Sequence, residues 1–179
     1  MKKSKVEKYL EKDSEYYKIV KTILEHPEFI KRKEYVHHES SSVYDHCLAV
    51  SIVSYLWAKK MRCDYKSAAI GGLLHDFYDK PWQTANHKLV DNKKTKILEK
   101  HGFAHAGQAA ENAYKYFPEL MTPKIEDIIR RHMFPLNIRP PKYKESWIIT
   151  LADKYISMDV LKSPKEWPKY IGLGKKEKK

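Results

Sequence analysis

The apolar residues of this chain recur with a helical period along almost its whole length, and no useful stretch alternates as a half-buried strand would. That property predicts an all-α domain. Val6, Leu10, Tyr17, Val20 and Leu24 mark a first helix, which ends before His26-Pro27 because a residue ahead of proline resists the helical region. Ser40-Ser41-Ser42 supply a start signal for a second helix over about 43–61. Others are expected over about 65–75, over 95–117 (with Gly102 a point where it could break), from Pro123 through His132, and over 145–161. Residues 82–95 are polar and read as loop, and Pro135, Pro140 and Pro141 make an extended connection. The expected architecture is one bundle of about six to seven helices. Residues 1–30 form an N-terminal helix packed on the domain, 31–163 the domain itself, and 164–179 a basic tail read as disordered.

With 179 residues, 42% of them hydrophobic, the chain can bury a sizeable core. No apolar run approaches the length needed to cross a bilayer, and the charged N-terminus has no apolar signal core behind it. Cys47 and Cys63 make no disulfide framework, so a reducing, cytoplasmic setting is expected, with no membrane partner. The net charge of +12 fits an anionic partner such as a phosphate ester, a nucleotide or RNA. It also fits a generally lysine-rich protein, since the lysines are scattered and cluster mainly at the two ends.

The histidines and aspartates fall on faces where solvated residues do not belong. His46 shares a helical face with Val50, Val53 and Trp57. His132 shares one with Ile125, Ile128 and Ile129, and Asp153 one with Ile149, Ile156 and Val160. His75-Asp76 closes another helix after the apolar run 70–74. One inward histidine is ordinarily a hydrogen-bonded core residue. A buried carboxylate must be paired, protonated or bound to a cation. Several such groups in one small domain are satisfied together by a shared ion. Imidazole and carboxylate without thiolate suit Mn, Fe, Co, Ni or Zn, and Mg where more oxygens contribute. Cys47 adjoins His46 but points elsewhere on a helix and reads as core.

The ordered set His46, His75-Asp76 and Asp153, with the flanks Tyr44-Asp45-His46, Leu73-Leu74-His75-Asp76, Arg131-His132-Met133 and Leu151-Ala152-Asp153-Lys154, resembles the HD-domain superfamily. The likeness is to its small stand-alone bacterial members and spans about 36–161. It implies a helical, metal-dependent phosphohydrolase that cleaves a phosphate ester, of a nucleotide or related small metabolite, by attack of a metal-bound hydroxide. It also implies one or two divalent ions. His46, His75, Asp76 and Asp153 would hold the first; Asp76, His105 and His132 would hold the second, with Asp76 bridging. His101, four residues before His105, could replace it or stand behind it.

The resemblance departs from one common pattern after the His-Asp pair, where many members carry lysine and this chain carries Asp79. Members acting on guanosine tetraphosphate carry an acid there, which makes Asp79 a candidate proton shuttle beside Asp76; it also reads as an ordinary loop carboxylate. Lys80, one residue on, could reach a phosphate. His38 resembles a pocket position in some members. Arg130 and Arg131 flank His132, and only one is expected to face inward; Arg131 is the candidate for binding phosphate. Lys154 could also meet an anion. A small anionic phosphoester is thus the expected partner; nucleic acid is compatible but not required. Two other readings share the scaffold: a di-iron oxygenase, and a non-catalytic nucleic-acid or regulatory module that keeps the metal for structure.

Overall fold

Helix boundaries follow local chemistry closely. The computed structural model describes residues 14–38, 41–79 and 95–160, with side chains for 15–35, 42–79 and 106–158. Among the described residues there are seven α-helices: α1 Ser14–Leu24, α2 Pro27–Ile30, α3 Val43–Lys60, α4 Tyr65–Leu74, α5 Thr95–Tyr116, α6 Pro123–Arg131 and α7 Lys144–Val160. The all-α expectation holds. Helix α5 runs through Gly102 unbroken. Two small features go beyond the helical period: 3-10 turns at Lys31–Glu34 and Pro118–Leu120, and a two-stranded antiparallel pair, β1 Val36–His38 with β2 Ser41–Ser42. The expected tail at 164–179 lies outside the described residues. Among the described residues no helix is long and apolar enough to cross a membrane.

Ser42 is the N-cap of α3: its hydroxyl oxygen accepts from the Asp45 backbone N–H at 3.1 Å and donates to the Asp45 carboxylate at 2.8 Å. This cap fixes the register that turns His46 inward. Thirteen of the eighteen residues of α3 are buried, so it forms the centre of the bundle, with α4 and α7 packed against it. Asp64 caps α4 in the same way through the Ser67 N–H, and pairs with Lys124 at the start of α6. Thr122 caps α6.

Two consecutive glycines set how closely the helices approach. A Cβ on Gly72 would stand 2.6 Å from the Cα of Ser51 and 3.0 Å from its backbone N, so α3 and α4 meet backbone to backbone there. A Cβ on Gly71 would meet Ile128 of α6 at 2.5 Å. The pair therefore seats α4 between α3 and α6, which carry His46 and lead to His132. Gly72→Ala should lower stability by about 1–3 kcal/mol, the usual cost of overpacking, because rigid backbone faces the new methyl. Thermal unfolding of the metal-free protein checks this; an unchanged melting temperature would mean that α3 and α4 can part freely.

Candidate metal centre

Four helices deliver one ionisable side chain or pair each to a single buried point. His46 comes from α3, Asp153 from α7, His75-Asp76 from the C-terminal end of α4, and His132 from the C-terminal end of α6. His46, His75 and His132 are buried, and the Asp76 side chain is only 7% exposed. His46 Nε2 lies 3.1 Å from Asp153 Oδ1 and 3.8 Å from Asp76 Oδ2. His75 Nε2 lies 3.6 Å from Asp76 Oδ2 and 3.7 Å from Asp153 Oδ1. His132 Nε2 lies 3.3 Å from Asp76 Oδ1. The two oxygens of Asp76 thus face different histidines.

The imidazoles are aimed by their own helices. His75 Nδ1–H donates to the Gly72 carbonyl at 2.8 Å, and His132 Nδ1–H to the Ile129 carbonyl at 2.7 Å. Each bond fixes the tautomer and leaves the Nε2 lone pair pointing into the cluster, as a metal ligand requires. His75 Nε2 is fully buried and has no hydrogen-bond partner among the described residues. Donor atoms that share an ion at about 2.0–2.2 Å must stand roughly 3–4 Å apart, and these do. Two groups of donors lie within 4.8 Å of one another: His46 with His75 and Asp153, and His75 with Asp76 and His132. The residues present therefore fit a divalent ion, with His75 common to both groups.

Charge in the cluster is organised without an ion as well. Burial works to lower the pKa of His75, but the Asp76 and Asp153 carboxylates outweigh it and push the imidazole up to about 9. Burial works to raise the pKa of Asp153, but the bond from His46 and the charge of His75 hold it well below the usual carboxylate range. Burial keeps His132 below its ordinary value, as a neutral imidazole. Cys47 packs in the core beside the cluster; burial, reinforced by the charge of Asp76, pushes its thiol well above its ordinary value. Its place in the core agrees with the reading of its helical position.

Residues 43–158, well over half of the chain, match the HD domain family. The chain belongs to that family. No curated protein and no solved structure matches it. The match contains His46, His75-Asp76, His132 and Asp153, the five residues that the HD domain brings to one point.

The other expected site residues lie elsewhere or beyond view. His101 and His105 are on α5, and His38 is on β1, but their side chains, like the whole of Lys80, lie outside the described residues. Asp79 does not join the cluster. Its side chain is 45% exposed, and Oδ1 accepts from Arg32 Nη2 at 2.8 Å. Arg131 is turned toward Asp127, at 2.7 Å, and the Pro140 carbonyl. Lys154 donates to the Phe134 carbonyl at 2.6 Å.

Two positioning residues carry no sequence signal of their own. Arg32 is completely buried, bonds the Glu28 carbonyl and Asp79, and lies 4.2 Å above the Phe77 ring. Asn112 donates to the Phe77 carbonyl at 2.9 Å. Together they clamp the segment that follows His75-Asp76. In sequence Arg32 stands between Lys31 and Lys33 and looks like any solvated cation.

Proposed function

We propose that this HD domain is a metal-dependent phosphohydrolase that cleaves a phosphate ester, of a nucleotide or a related small metabolite. The observation that carries the reading is the buried convergence on Asp76, whose two oxygens face histidines of different helices while His75 Nε2 lacks a hydrogen-bond partner among the described residues. A divalent ion at this point supplies Lewis-acid activation of water and charge compensation for a phosphoryl group. His46, His75, Asp76 and Asp153 would hold it, and Asp76 and His132 would extend the donor set toward a second position. The chain contributes orientation: the Nδ1 bonds hold both imidazoles in place, so little reorganisation accompanies the reaction. The Asp76 carboxylate is placed to accept a proton or to orient the attacking water. Asp79, held by Arg32, would serve as acid only after leaving that pair.

Protein purified without added metal should turn over members of a nucleotide and phosphoester panel when Mn, Fe, Co, Ni, Zn or Mg is supplied, and lose that turnover in EDTA. Absence of turnover with every ion, or a coloured two-iron preparation that consumes oxygen, would sink the proposal.

A further inference from the structure

A cavity of about 320 Å³ is lined by Gly107 of α5, Arg130 and Arg131 at the end of α6, and Asn137 and Arg139 of the following loop. Three arginines line this one small space, and like charges gathered together repel unless something anionic joins them. Two are partly compensated: Arg130 Nε pairs with Glu126 at 2.8 Å and Arg131 Nε with Asp127 at 2.7 Å. In both pairs the Nε edge meets the carboxylate, and among the described residues these bonds leave guanidinium N–H groups to spare. Arg139 has no carboxylate partner among the described residues; only its backbone N–H is engaged, by Asn137 Oδ1. Asn137 in turn donates to the Arg130 carbonyl at 2.6 Å, which fixes the loop against the helix. On the α5 side, a Cβ on Gly107 would meet nothing within 4 Å.

We propose that this cavity binds a phosphate or diphosphate group, and that the enzyme therefore prefers substrates carrying a second anionic group beyond the one at the metal centre; this substrate preference rests on the phosphohydrolase reading above. Arg131 and His132 are adjacent in the chain, with Cα atoms about 3.8 Å apart, so the cavity lining and the cluster share the C-terminal end of α6. Guanidinium groups match phosphate oxygens with paired N–H donors, which lysines cannot do. The volume is at the lower limit of small-molecule sites, roughly 300–1,000 Å³. It suits a compact polyphosphate rather than a nucleic-acid strand, which needs a long open groove.

The test uses the full chain, with inorganic pyrophosphate as probe in EDTA, so that binding is read without the metal centre. Arg139→Gln removes the uncompensated charge from an exposed loop. Gly107→Leu fills the space without changing charge and suits a helix. Arg139→Gln should weaken pyrophosphate binding by roughly tenfold in calorimetry, the loss expected for one charged contact, and Gly107→Leu should weaken it by occupying the space. In turnover, Arg139→Gln should raise KM for a nucleoside diphosphate by a similar factor with kcat little changed, and leave a simple monoester such as p-nitrophenyl phosphate unaffected. If pyrophosphate binds the wild type and both variants equally, or does not bind the wild type, the cavity proposal is overturned. If RNA binds with a steep salt dependence that Arg139→Gln abolishes and Gly107→Leu does not, the arginines serve a surface and the proposal is again overturned. Arginine-dependent pyrophosphate binding in a protein that hydrolyses nothing would leave the cavity standing and remove the phosphohydrolase reading.

Discussion

Asp76→Asn should abolish phosphoester turnover, by about a thousandfold or more, and leave the purified protein with little bound metal. The substitution keeps the side-chain volume and removes the charge. The two oxygens of Asp76 lie 3.6 Å from the Nε2 of His75, which both donor groups share, and 3.3 Å from His132 Nε2. An amide places a neutral oxygen at one of these points and an N–H donor at the other, so it cannot serve both. The loss should exceed that from His132→Ala, which touches only the second group. Metal content per chain and kcat on the best substrate of the panel read the two effects separately. A variant that keeps its metal and its rate would mean that Asp76 is a bystander. Because the side chain is buried, folding needs its own control: the far-ultraviolet circular dichroism of the variant should match that of the metal-free wild type.

The second large effect is thermal, and its sign depends on the ion. In EDTA, stability should fall as pH rises from about 6.5 toward about 9. The folded protein holds the His75 proton up to about 9, whereas the unfolded chain releases it near 6.5. The folded state therefore binds more protons than the unfolded one across this window. That contribution is fully present below 6.5 and lost as pH climbs through about 9. A divalent ion reverses the slope, because it needs the His75 lone pair and competes with the proton. With metal at a thousand times its dissociation constant, about 4 kcal/mol is added, which for a chain of this size is a rise in Tm of roughly 8–16 °C. The two melting curves should thus diverge as pH increases. Parallel curves would argue against His75 as a shared ligand.

The inward faces of α3, α6 and α7 were legible because a helix turns sequence spacing into direction. His46 among Val50 and Val53, and Asp153 among Ile149 and Ile156, cannot point to water without exposing their apolar neighbours. His75-Asp76 was legible as a helix end. What stayed hidden depends on pairs far apart in the chain. Gly72 looks like a weak point in a helix until Ser51 is found 2.6 Å from where its Cβ would be. Arg32 looks like a surface cation until Phe77 and Asp79 close over it. Asp79 carried a role that the family resemblance implied, and the contact its carboxylate makes with a residue 47 positions away has no local signal. The small β pair beside the α3 cap is likewise too short for any period to register. The family match covers the legible set and says nothing of these supports.

The two imidazoles held by carbonyls of their own last turns have a wider consequence. The final carbonyls of a helix have no partner within it, and Gly72 and Ile129 spend theirs on His75 and His132. Each histidine therefore ends a helix on one ring edge and offers a donor atom that could hold a metal on the other. Fraying of α4 or α6 by a single turn would swing an imidazole out of the cluster, and an ion in the cluster would oppose that fraying. Coordination and helix length become a single variable, so the metal affinity of this protein is set partly by how firmly two helices are ended.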